Sequence, residues 1–202
     1  TEQKLKGFTS SPAGTWATSN DMNTARSSMS AQNIGTQTAS IAAGGYSSTA
    51  DQNAITESYN GSTWTEVSDL NTARNVMPGA GTATAAIVAG GNNFTLPGPS
   101  AKTVYVETWN GSSWTEVGDI NTHVENGAAT GGSSAAIAFG GNDGTATTAK
   151  NESWDGSSWT EVGDLNTARK SLAGFGTSTA AIGAAGDGVK DEVESWNGTA
   201  WT

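Results

Sequence analysis

An all-β fold of four like units is what this sequence predicts, and three observations carry the prediction. The tetrapeptide Asn-Thr-Ala-Arg stands at residues 23–26, 71–74 and 166–169, and an altered copy, Asn121-Thr122-His123-Val124, fills the interval. The copies start 48, 50 and 45 residues apart, a period at which each unit is one supersecondary block. Between copies the same landmarks recur in one order: an Ala/Gly-rich apolar run, a Gly pair, a Glu-Ser/Thr-aromatic segment with an Asn/Asp-Gly turn, and a Trp that opens the next strand. No segment sustains a helical period.

The unit from Asn71 to Asp119 shows the elements in order. A first, irregular strand is expected over 75–80, interrupted by Pro78 and Gly79. Residues 84–89 form a short, nearly all-apolar run ending at Gly90-Gly91, as a strand buried on both faces requires. The polar stretch 92–102 reads as a loop. Residues 104–109, Val-Tyr-Val-Glu-Thr-Trp, are β-branched and aromatic, hence a third strand. Asn110-Gly111 signals a hairpin with a type I′ turn, and Trp114-Thr115-Glu116-Val117 is the return strand. Four short strands per unit, with turn residues between them, match one blade of a β-propeller.

Small residues in the second strands (Ile41-Ala42-Ala43, Ile87-Val88-Ala89, Ile137-Ala138-Phe139, Ile182-Gly183-Ala184) suit a crowded axis. The aromatic pairs Tyr59/Trp64, Trp109/Trp114, Trp154/Trp159 and Trp196/Trp201 sit toward the wider rim, where they would fill the wedges between blades. Their recurrence in every unit marks them as core, with Trp16 as a further copy near the N-terminus.

A Gly pair after an apolar strand, Glu-x-aromatic, a tight turn, a Trp and an Arg-containing segment together resemble the kelch repeat, over roughly residues 14–202. The fourth unit departs from the pattern with Ala185-Gly186, and the third lacks its Arg. The Ala/Thr-rich wording, Leu-Asn-Thr-Ala-Arg and Trp-Asn-Gly-Ser-Ser-Trp-Thr-Glu-Val, is also similar to repeats in virion proteins of marine bacteriophages. The resemblance implies a kelch-type propeller placed on a virion or outside a cell.

The expected architecture is four blades of four antiparallel strands, spanning residues 13–202 after an extension at 1–12. The units run approximately 22–69, 70–119, 120–164 and 165–202, the last completed by 13–21. In that closure the strand 15–18 around Trp16 pairs with the strand 192–196, tying both ends into one blade and removing an exposed edge. A ring shared between chains, or a piece of a larger ring, is the rival arrangement. The first residues resemble no signal peptide and include no initiator Met, so a processed chain, or one cut from something longer, is expected.

Composition narrows the function. A net charge of −10 and nine scattered basic residues argue against a nucleic-acid partner. With no Cys, disulfides and thiolate metal sites are excluded. No stretch has the length of an apolar membrane span, so no membrane insertion is expected. A copper oxidase site on kelch-type blades needs Cys and several His, whereas this chain has His123 alone. His123 replaces the Ala of the other tetrapeptides and reads as a solvent-facing loop substitution, with a binding role as the sharper reading. Neither a cofactor nor a metal is expected, and no enzyme activity.

The carboxylates Glu57, Glu107, Glu152 and Glu194 recur with the blades, so they are read as scaffold, pairing with Arg26, Arg74 and Arg169 or with backbone amides at blade junctions. Trp64, Trp114 and Trp159 recur in the same way. Function is sought where the copies differ, in the loops between second and third strands. Asn92, Asn93, Phe94 and Leu96 in the longest loop, Asn142 and Asp143 in the next unit, and His123 on the opposite side are the candidates. The expected role is a non-catalytic structural or adhesion module binding protein or cell-surface glycan, as a homo-oligomer or within a virion assembly. A carbohydrate-active enzyme or lectin with a loop-lined pocket is the alternative.

Overall fold

The computed structural model describes residues 19–30, 33–48, 53–93, 102–188 and 191–202, and every regular element in them is a strand. The strand around Trp16, the 1–12 extension, Phe94 and Leu96 lie outside the described residues. The first sheet contains β1 (Gly35–Thr36), β2 (Ala39–Ala43), β3 (Thr56–Tyr59) and β4 (Trp64–Val67). The second contains β5 (Gly79–Thr82), β6 (Ala85–Ala89), β7 (Val106–Trp109) and β8 (Trp114–Val117). The third contains β9 (Ala128–Gly132), β10 (Ala135–Phe139), β11 (Asn151–Trp154) and β12 (Trp159–Glu161). The fourth has β13 (Ala173–Gly176), β14 (Ala181–Ala184) and β15 (Val193–Trp196). Within each sheet, strands pair antiparallel in chain order.

The first strand of the second unit thus lies at 79–82, not at the expected 75–80. Its Gly81, at φ 126°, sits so close to Ala85 and Ala86 that an added Cβ would fall 2.3 Å from the Ala85 carbonyl oxygen. Small residues admit this close two-strand approach and leave no alternating pattern to read. The hairpins also differ from the I′ expectation. Trp109 faces Trp114 across a four-residue loop in which only Gly111 has positive φ. Asn110 Oδ1 accepts from the Ser112 and Ser113 amides, so a side chain shapes this turn.

Among the described residues there are fifteen strands, where sixteen were expected. The fourth strand of the last sheet is started by the chain's own end: Trp201 bridges Trp196, and Ser195 and Thr202 exchange both backbone hydrogen bonds. The expected N-terminal strand lies outside the described residues.

First strands of different units pack on one another. β5 packs on β9, and β9 on β13. The Asn33 amide donates to both the Ala129 and Gly174 carbonyls, bringing the first unit against the third and fourth. A second thread links equivalent residues. Val76 N–H donates to Ser28 O, Asn126 N–H to Val76 O, and Ser171 N–H to Asn126 O. All four residues are left-handed, with φ between 51° and 55°. That conformation lets one residue face its amide and carbonyl toward successive units. For β-branched Val76 it is costly, by roughly 1–2 kcal/mol. Val76→Asn, copying its sibling Asn126, is expected to raise stability by about 0.5–1 kcal/mol in urea denaturation. An unchanged or lower midpoint would show that Val76 carries no strain.

Three apolar cores lie between consecutive sheets. Ile41 and Ala43 of β2 face Val88, Trp109 and Trp114 of the second sheet. Ile87 and Val106 face Ala138, Trp154 and Trp159 of the third. Ile137 and Phe139 face Ala181, Trp196 and Trp201 of the fourth. Each interface sets the aliphatic face of one sheet against the aromatic pair of the next, with ring centroids 5.3–5.6 Å apart within those pairs.

Candidate functional site

Each Asn-Thr tetrapeptide folds onto the third-strand carboxylate of its own unit. Asn23 N–H and Nδ2 both donate to one Glu57 oxygen, while Thr24 N–H and Arg26 reach the other. The same cradle holds Glu107 through Asn71, Thr72 and Arg74, and Glu194 through Asn166, Thr167 and Arg169. The ion pairs are 3.0, 2.8 and 3.0 Å long, with essentially buried side chains. Each guanidinium also donates to two carbonyls of its own unit: Gly44 and Ile55, Gly90 and Tyr105, Ala185 and Glu192. Burial alone would raise the Glu57 carboxyl, but the Asn23 and Thr24 donors and Arg26 hold it below its usual value. Burial pulls the Arg74 guanidinium down, and Glu107 opposes that shift.

These clusters also join neighbouring units. Gly45 N–H donates to Arg74 O, Gly91 N–H to Val124 O, and Gly141 N–H to Arg169 O. The second glycine of each pair takes a positive φ (105°, 88° and 94°), and an added Cβ would press on the backbone opposite. A Gly pair is needed there for close approach.

The third unit is built differently. Val124 stands where its siblings carry Arg, yet Glu152 is still buried. Asn121 and the Thr122 amide hold it, the latter at 2.8 Å against 3.2–3.4 Å in the other units. Lys150 pairs with Glu161 at 3.6 Å and donates to Thr122 Oγ1, its side chain 40% exposed. His123 is not the solvent-facing substitution the sequence suggests: it is 8% exposed, and its Nδ1 lies 2.9 Å from the Thr103 carbonyl oxygen. The shorter Val124 leaves volume that the ring turns in to use. His123 Nε2 has no partner. A small cavity beside it is lined by Thr122, His123, Val124, Gly140, Lys150 and Glu152, among others.

The loop candidates fare unevenly. Asn93 is buried, and Asn92 bridges Asn75 and Lys102 while its side-chain amide donates to Glu125. Both are structural contacts in the described part of that loop. Asn142 and Asp143 shape a turn: Asn142 Oδ1 accepts from Gly144 N–H, and Asp143 Oδ1 from Thr145 and Ala146. Hydrogen bonds from the Thr145 side chain and from the Ala146 and Thr145 amides lower the Asp143 carboxyl to about 2. Trp114 and Trp159 are buried, and Trp64 half-buried.

One surface escaped the sequence reading. Phe175, Ile182 and Val193 lie on one face of the fourth sheet, as their cross-strand register shows, and are 56%, 44% and 61% exposed. The equivalents of Ile182 in the first three sheets, Ile41, Ile87 and Ile137, are at most 1% exposed. A shallow, mainly apolar depression of about 350 Å³ runs over this face beside Phe175, Ile182, Ser195 and Trp196. Ile182 itself occupies the repeat position of the buried Ile41, Ile87 and Ile137, so its identity does not signal the exposure. Among the described residues no group of three or more His, Asp or Glu is placed to hold a metal ion, and no helix is long and apolar enough to cross a membrane. No family model matches the chain, and no curated protein sequence is significantly similar to it.

Proposed function

We propose that this chain is a non-catalytic binding and assembly module, a four-unit propeller of kelch type whose bare fourth-sheet face docks a second copy. One observation carries the reading: three large apolar side chains stand exposed where the same positions in the other sheets are covered. What covers them there is always the aromatic pair of a following sheet. The first sheet carries such a pair, Tyr59 and Trp64, ring centroids 5.0 Å apart and only half-buried. Aliphatic and aromatic faces are thus both available for a head-to-tail contact, which closes into rings or extends into filaments.

The repeated carboxylates support the non-catalytic part, since Glu57, Glu107 and Glu194 are buried and committed to Asn, Thr and Arg donors. Placement on a virion or outside a cell is the setting that the sequence resemblance supports. Light scattering on the purified chain should give a mass above the 20.4 kDa of one copy at micromolar concentration, and Ile182→Asp should return it to that mass. A wild-type monomer at every concentration sinks the reading. The lectin alternative through the Asn142–Asp143 loop would show instead as a glycan-array signal lost in Asp143→Ala.

A further inference from the structure

We propose that the third unit binds a small monovalent cation, of sodium or ammonium size, where its siblings hold an arginine guanidinium. In the other units three acceptors converge on that guanidinium: the carbonyl of the residue that opens the Gly pair or stands in its place, the carbonyl two residues before the Glu, and the Glu itself. Their equivalents here are Gly140 O, Lys150 O and Glu152, and all three residues line the cavity beside Val124. A fourth acceptor joins them. His123 Nδ1 faces a carbonyl and so donates, and Nε2, which has no partner, offers a lone pair whenever the ring is neutral.

Four groups at this spot accept, and one of them is a buried carboxylate with no arginine; the Lys150 ammonium beside it is 40% exposed and is turned to Glu161 and Thr122 Oγ1. A buried charge without a counter-charge is strongly disfavoured. The cavity leaves about 10 Å³ for the centre of a water-sized sphere, enough for one atom-sized occupant and too little for a guanidinium. Water would bring two donors to four acceptors. Ammonium brings four, and sodium accepts oxygen and nitrogen lone pairs directly. The net charge of −10 favours a cation further.

The test is thermal unfolding of the intact chain at fixed pH and ionic strength, with tetramethylammonium chloride replaced stepwise by sodium or ammonium chloride. The midpoint should rise by about 3–6 °C at ten times the dissociation constant. The double substitution His123→Ala with Val124→Arg rebuilds Asn-Thr-Ala-Arg and fills the site with a side chain, so its midpoint should not respond to the exchange. An equal rise in that variant, or no selective rise in the wild type, overturns the proposal. Thallium(I) soaked into crystals of the wild type gives a readout independent of stability. One anomalous peak in bonding contact with Glu152 is expected, and its absence there overturns the assignment.

Discussion

Arg74→Met is expected to destabilise the chain by about 3–5 kcal/mol, the scale on which one partner of a buried ion pair is lost. The Arg74 side chain is fully buried and donates to Glu107 at 2.8 Å, Gly90 O at 2.9 Å and Tyr105 O at 2.6 Å. Methionine fills much of the volume but leaves the buried carboxylate without its counter-charge and takes a donor from both carbonyls, Tyr105 O keeping only the Gly90 N–H. Deleting the carboxylate as well does not restore balance. Glu107 also accepts from Asn71 N–H, Asn71 Nδ2 and Thr72 N–H, so Arg74→Met with Glu107→Leu orphans those donors in turn. Urea denaturation followed by circular dichroism measures the loss. A cost below about 1 kcal/mol would mean that the cluster contributes little beyond alignment.

The same cluster shows why some of this fold is legible in the sequence and some is not. Asn-Thr-Ala-Arg and its distant Glu recur because each copy performs the same hydrogen bonding, so the spacing alone locates the units and flags the residues. The Trp positions are legible for a similar reason: three of the pairs fill equivalent cores against the preceding sheet. The first strands are not. Gly79-Ala80-Gly81-Thr82 carries no alternation, since close approach of neighbouring strands selects small residues there. His123 misleads because its siblings Ala25, Ala73 and Ala168 are exposed or half-buried, whereas its ring is buried beside Val124, which stands in the arginine's place. The open face of the fourth sheet is least legible of all. Ile182 follows two alanines as Ile137 does, yet it is 44% exposed while Ile137 is covered by the aromatic pair of the next sheet.

That contrast makes the second large effect informative. Trp154→Ala is expected to cost about 3–5 kcal/mol, the usual range for emptying a buried aromatic site. Trp154 is 1% exposed, tilts against Trp159 at 5.5 Å, and packs in one core with Ile87 and Val106 of the preceding sheet. Its Nε1 donates to Ser133 O at 2.9 Å, so truncation also leaves that carbonyl without a donor. Tyr59 occupies the equivalent position in the first sheet but is only half-buried, its hydroxyl 2.6 Å from Ser19 Oγ. Tyr59→Ala in dilute, monomeric protein should therefore cost only about 1–1.5 kcal/mol, in proportion to the smaller apolar area withdrawn from water. Raising the protein concentration changes the expectation for Tyr59 alone. If a second copy's fourth-sheet face covers Tyr59 and Trp64, its truncation must weaken association as well, and the gap between the two variants must narrow as the wild type assembles. A Tyr59 cost that equals the Trp154 cost already in the monomer would instead place the chain's own fourth sheet against its first.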